Sequence, residues 1–199
     1  MDRYQLIKQI VSNIENGIFV EIGTDKGDLT EYILENSVNS IIYCIDPYEK
    51  YEEYEDAINN VTGDDLYHNI YNKLKNKYGD RYIPIRKRSN FAINDIPNNI
   101  DFLYIDGNHS CKYVYNDLQL YYPKVKIGRY IVGDDAVDIN DNMRDANGDV
   151  YIEWFPGCYG KYGVIKAFNT FIFEQKLTGE IVGTQYIIKK ENNNIYFTF

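Results

Sequence analysis

The sequence predicts a three-layer α/β sandwich on a mostly parallel, seven-stranded sheet that ends in an antiparallel hairpin. Three observations predict it. Short apolar runs alternate with segments of helical period along most of the chain. The run Ile100-Asp-Phe-Leu-Tyr-Ile105 is almost continuously apolar, as a parallel strand covered on both faces must be. The run at 18–22 leads into a glycine-rich turn from Gly23 to Gly27, and the next run ends in an acid, Asp46.

The elements follow in order. Tyr4, Leu6, Ile7, Ile10, Val11 and Ile14 recur at helical spacing, so residues 3–15 are expected to be a helix. Strand one is 18–22, a helix carrying Leu29, Tyr32, Ile33 and Leu34 spans 28–36, and strand two is 40–45. Residues 47–61 are polar and acidic, with Tyr48, Tyr51 and Tyr54 interleaved. A helix at 64–77 and a strand at 82–86 precede the strand at 100–105. Next come a helix at 110–121, a turn at Lys126-Ile-Gly-Arg129 and a strand at 130–132. Residues 134–160 are rich in Asp, Asn and Gly with weak periodicity, and are expected to form a long substrate-side loop. A helix at 161–176 follows, and Ile181–Lys189 and Ile195–Phe199 flank Glu191 to Asn194 in a hairpin pattern. Without an internal repeat or linker, residues 1–199 are expected to be one domain.

Composition bounds the function. Hydrophobic residues make up 44% of the chain and aromatics 16%, which excludes general disorder. The 21 tyrosines accompany much Asn, Ile and Lys, a pattern that biased codon usage alone can produce. A formal charge of −9 argues against nucleic acid or an anionic membrane as partner. Arg86-Lys-Arg88 is the one basic cluster and reads as a solvated strand end. Cys44, Cys111 and Cys158 lack metal or disulfide spacing and read as free thiols in a reducing compartment. With no signal segment and no apolar span, a soluble, cytoplasmic protein is expected.

In an open parallel sheet, ligands bind beyond the carboxyl ends of the strands. Those positions hold Glu21 to Gly23, Asp46, Arg88-Ser89-Asn90, Asp106-Gly-Asn-His109 and Gly133-Asp-Asp135. Gly23 and Gly27 let backbone approach a ligand. Asp46 can accept hydrogen bonds from two ribose hydroxyls. Ser89 either meets an adenine edge or starts the next turn. Asp106, Asp134 and Asp135, if convergent, cannot all stay ionised without a proton or cation. A hard ion such as Mg²⁺ suits them. His109 either removes a proton near neutral pH or serves the helix that follows it. His68 reads as structural. Trp154, Phe155, Tyr159 and Tyr162 either wall a substrate pocket or pack the long loop onto the sheet.

Glu21-Ile-Gly-Thr-x-x-Gly27 resembles the first motif of class I S-adenosylmethionine-dependent methyltransferases, which are Rossmann-like, and Asp46 matches their ribose-binding acid. Asp101-Phe-Leu-Tyr-Ile-Asp-Gly-Asn-His-Ser110, with Val114 and Asp117, is similar to methyltransferase family 24, the branch related to macrocin O-methyltransferases and cephalosporin hydroxylase-like proteins. Gly163-Val-Ile-Lys-Ala167 with Phe171 resembles that family's last helix; Ile127-Gly128-Arg129 departs from its usual Gly-Gly turn. The resemblance implies cofactor contacts at Glu21, Gly23, Thr24, Gly27, Asp46, Ser89 and Asp106. It implies metal ligation by Asp106, Asp134 and Asp135.

The expected activity is methyl transfer from S-adenosylmethionine to a hydroxyl of a small molecule, sugar or polyol. Mg²⁺ would assist and His109 would take the proton. The alternatives are a nucleoside-binding protein without transfer and a hydroxylase-like metal enzyme on the same fold. A nicotinamide-dependent oxidoreductase fits less well, because Gly23-Thr-Asp-Lys-Gly27 lacks the G-x-G-x-x-G spacing. A homo-oligomer is compatible with the sequence.

Overall fold

The computed structural model describes residues 2–54, 60–137, 144–155 and 158–191, with backbone alone for 152–155, 158 and 159. Helix α1 (Arg3–Val11) opens at Asp2, whose carboxylate accepts the backbone N–H of Gln5 as an N-cap. Strand β1 (Ile18–Ile22), helix α2 (Asp28–Glu35) and strand β2 (Ile41–Ile45) follow as their apolar periods require. Helix α3 (Asp64–Tyr78) and strand β3 (Tyr82–Ile85) complete the first half.

The second half begins with the one-turn helix α4 (Ser89–Ala92) and the fully buried strand β4 (Ile100–Ile105). Helix α5 (Cys111–Tyr121) and strand β5 (Val125–Gly133) come next. A separate hairpin is made by β6 (Val150–Phe155) and β7 (Cys158–Tyr162). Helix α6 (Val164–Glu174) and strands β8 (Gly179–Val182) and β9 (Gln185–Lys189) close the described chain.

The seven strands run in the order β3-β2-β1-β4-β5-β9-β8. The first five are parallel, and β9 pairs antiparallel with both β5 and β8. Side chains alternate across the sheet. On one face Phe19, Phe102 and Tyr104 pack under α1, α2 and α3; on the other Val20, Leu103 and Ile105 pack under α4, α5 and α6. Fully burying side chains such as Phe102 and Leu103 stabilises by about 1.5–3 kcal/mol each. Among the described residues no helix is long and apolar enough to cross a membrane.

Four local expectations are corrected. Residues 161–176 do not begin as helix: Lys161 and Tyr162 pair with β6, and α6 starts after Gly163. The segment expected as a loop at 134–160 carries the β6–β7 hairpin. The stretch 181–189 is two strands, because Gly183 at φ +66° turns the chain between Val182 and Gln185. The turn at 126–129 lies within β5, where pairing with β4 shifts register between Ile100 and Phe102. The expected strand at 195–199 lies outside the described residues.

Candidate active site

Because β1 sends one connection to β2 on its left and β4 lies on its right, a crevice opens at the carboxyl ends of these strands. It is a cleft of about 1180 Å³. Gly23, Asp46, Ser89, Asp106, His109 and Asp135 all line it. Glu21, Thr24, Gly27 and Asp134 do not.

Gly23 is held at φ +89°, and a Cβ there would sit 1.9 Å from the carbonyl oxygen of Asp106. The turn after β1 therefore lies directly on the tip of β4. Gly27, at φ +74°, starts α2 against Leu74 and Ile70 of α3. Strand alternation turns Glu21 away from the cleft, toward α2. There Glu21 is 1% exposed and meets Thr30 Oγ1 and, at 3.8 Å, Cys44 Sγ. Burial pushes its pKa up to about 8, against the Thr30 hydrogen bond. Glu21 and the buried Thr24 thus shape the turn from behind rather than presenting side chains to the cleft.

Asp46 faces the cleft from the end of β2. Its carboxylate accepts the backbone N–H groups of Asp25 at 3.0 Å and Tyr48 at 2.8 Å. Burial raises its pKa, and these two donors oppose the rise. The Thr24 backbone N–H also acts on this carboxylate, which has about four acceptor positions, so it can still accept from a hydroxyl donor in the cleft. Asp25, Tyr48 and Asp135 are non-glycine residues at φ 44°, 47° and 58°, and all three line the cleft. Strain of this kind concentrates where a site over-determines the backbone.

Ser89 begins α4, and its carbonyl accepts from Tyr121 Oη at 2.7 Å. Behind it lies Asp117, 2% exposed, whose carboxyl is pushed up to about 7 by burial while a hydrogen bond from Ser89 opposes.

At the ends of β4 and β5 the acids divide into two sets. His109 Nε2 lies 3.4 Å from Asp106 Oδ1 and 3.2 Å from Asp135 Oδ2. One ligand atom from each of these residues lies within 4.8 Å of the others, a spacing that fits a divalent cation. Asp134 is not part of that set, a correction to the expected aspartate triad. Asp135 is left-handed, and Asp134 points instead toward Arg3, Tyr104, Thr184 and Gln185. Burial would raise the Asp134 pKa, but the Asp135 N–H and the Arg3 guanidinium outweigh it and hold it low.

Aromatic rings frame His109. Tyr162 stacks on it at 5.0 Å and Tyr54 approaches edge-on at 6.3 Å. Tyr54 stacks in turn on Tyr51 at 5.5 Å, and Arg88 covers Tyr51 at 4.2 Å. Tyr162, one of four aromatics in the sequence that could wall a pocket, does line the cleft; the side chains of Trp154, Phe155 and Tyr159 lie outside the described residues. Arg3 escaped the sequence reading because α1 precedes every motif and nothing local marks its partner. Asp117 was marked in the sequence by the family-24 resemblance alone, with no role assigned to it.

The profile of methyltransferase family 24, described as a methyltransferase domain, matches residues 20–136. An uncharacterised protein of Acanthamoeba polyphaga mimivirus is 29% identical over 195 residues, covering 96% of this chain and 83% of its own. The O-methyltransferase NovP shares the fold with a TM-score of 0.64 at 15% identity, covering 96% of this chain and 80% of that one. An rRNA methylase from Streptococcus thermophilus does so at 0.59 and 8% identity, covering 95% and 94%. At such identities the two structures speak for the fold alone, while the profile spans more than half of the chain. With its strand-tip acid, glycine turn and Asp106-to-His109 segment in place, the chain belongs to methyltransferase family 24 and is an S-adenosylmethionine-dependent methyltransferase.

Proposed function

We propose that the chain transfers the methyl group of S-adenosylmethionine to a hydroxyl of a small, polyol- or sugar-like acceptor. One observation carries the reading. A single cleft joins Asp46, suited to ribose hydroxyls, to His109 between Asp106 and Asp135.

In this reading the ribose is held by Asp46, the adenine edge meets Ser89, and Gly23 keeps side chains away from the nucleoside. When bound, S-adenosylmethionine supplies a methyl group already activated by its sulfonium charge, so the protein contributes chiefly position and electrostatics. His109 accepts the hydroxyl proton at Nε2. Once Nε2 carries that proton, Asp106 and Asp135 can accept it in hydrogen bonds and stabilise the positive charge the imidazole gains. Tyr54 and Tyr162 exclude water from its two sides.

A divalent cation such as Mg²⁺ would be held by Asp106 and Asp135 and would supply Lewis acidity toward the acceptor hydroxyl. One nitrogen cannot serve at once as ligand and base. The carboxylates are therefore assigned to the cation and Nε2 to the proton. A net charge of −9 supports a small acceptor over nucleic acid.

The test is transfer of labelled methyl from S-adenosylmethionine to a panel of sugars, polyols and catechols, with an rRNA fragment alongside. Label on a hydroxyl oxygen of a small acceptor supports the reading. Label on the RNA, or cofactor binding with no transfer to any hydroxyl, overturns it.

A further inference from the structure

Three acids close together need positive charge to stay ionised. Part of that charge comes from the chain itself. Arg3, the first residue of α1, places Nη1 2.7 Å from Asp134 Oδ2 and 3.5 Å from Asp106 Oδ2. An arginine guanidinium does not lose its proton in a protein. Arg3 is a fixed cation.

Asp134 is fully engaged. Besides Arg3 it accepts from Tyr104 Oη at 3.1 Å, Thr184 Oγ1 at 3.0 Å, Gln185 Nε2 at 2.6 Å and the Asp135 N–H at 2.8 Å. Those donors exceed the roughly four lone-pair positions of a carboxylate. A metal could recruit Asp134 only by displacing the guanidinium, and would then face a half-buried Arg3 that has lost its 2.7 Å partner. By contrast Asp106 Oδ1 and Asp135 Oδ2 point to the other side, toward His109. α1 also lies outside residues 20–136, the matched methyltransferase domain.

We infer that Arg3 is a tethered cation that withholds Asp134 from metal and confines the site to one divalent ion on Asp106 and Asp135. The inference rests on the cation-assisted reading above and concerns specificity. Arg3 is a positioning residue, acting through Asp134 and by repulsion of a second ion. Without it, Asp134 joins Asp106 and Asp135 and the site becomes a stronger cation trap.

The test is calorimetric titration of the full chain with Mn²⁺ alone, checked by the spin-resonance signal of free Mn²⁺. Binding of S-adenosylhomocysteine, measured separately, reports whether the cleft is intact and whether the cofactor reading holds. Arg3→Met is expected to bind Mn²⁺ at least about tenfold more tightly than the unmodified chain, since a cation is removed from beside the site. Arg3→Lys keeps the charge and is expected to stay within about threefold. Asp134→Asn, which does not depend on Arg3→Met folding, is expected to leave Mn²⁺ affinity within about threefold, because Asp134 is not a ligand.

Equal or weaker Mn²⁺ binding by Arg3→Met overturns the inference. So does a tenfold or greater loss in Asp134→Asn. If neither the unmodified chain nor Arg3→Met binds Mn²⁺ while S-adenosylhomocysteine binds both, the inference fails and the cofactor reading survives.

Discussion

His109 Nε2 lies 3.2 Å from Asp135 Oδ2, on the opposite side of the acidic cluster from the Arg3–Asp134 pair. This arrangement separates the proton-accepting nitrogen from the acid that the guanidinium neutralises. It also makes the role of His109 measurable apart from cation binding. His109→Ala is expected to lower kcat about 10²–10⁴-fold, the usual contribution of a positioned base. Its Mn²⁺ affinity should change only about threefold, as the carboxylates remain. If Mn²⁺ affinity instead collapses in titration, Nε2 is a ligand and the proton goes elsewhere.

Gly23 bears on fold and site together. A Cβ at that position would sit 1.9 Å from the Asp106 carbonyl oxygen, at a φ of +89°. Gly23→Ala is expected to cost about 3 kcal/mol or more, through strain and separation of the β1 and β4 tips. Urea denaturation checks this. A loss below about 1 kcal/mol would mean that the turn relaxes freely.

Glu21 predicts an unusual pH dependence. Its folded pKa, near 8, lies above the ordinary value of 4.5, so the folded state holds the proton more tightly than the unfolded chain. The resulting stability is fully present below pH 4.5 and is lost as pH rises from 4.5 through 8. Across that window Glu21 removes up to about 1.4 kcal/mol per pH unit. Asp117, pushed up to about 7, acts in the same direction. Glu21→Gln should flatten the decline in Tm between pH 5 and 8 and raise stability above pH 8. A pH–Tm profile identical to that of the unmodified chain would show that Glu21 is ionised in the fold.

The fold was largely legible because its signals are local. Ile100–Ile105 is apolar apart from Asp101, and the periods of α2, α3 and α5 place them within a residue or two. The misses have physical reasons. Lys161 and Tyr162 look helical by period but satisfy their backbone against β6, a partner that the sequence does not mark. Gly183-Thr184 is a two-residue turn inside an apolar stretch, and the stronger Asn run at 192–194 drew the hairpin downstream. At the site, Gly23, Asp46, Ser89, Asp106, His109 and Asp135 from five strand tips line one cleft. The tips could not tell which way adjacent acids point: Asp134 turns to Arg3 and Asp135 to His109, and Asp135 leaves strand geometry at φ 58°. Arg3 is far from Asp134 in sequence, and only the packing of α1 brings them together.

Asp46 carries the cofactor assignment, so it gives the most direct test. Its carboxylate orders the Asp25 and Tyr48 amides and faces the cleft. Calorimetric titration of the unmodified chain and of Asp46→Ala with S-adenosylhomocysteine, and separately with NAD, measures the claim. The account predicts binding of S-adenosylhomocysteine with a Kd on the order of micromolar, weakened at least about tenfold by Asp46→Ala, and no comparable affinity for NAD. Affinity for S-adenosylhomocysteine that is absent, or unchanged in Asp46→Ala, would contradict it.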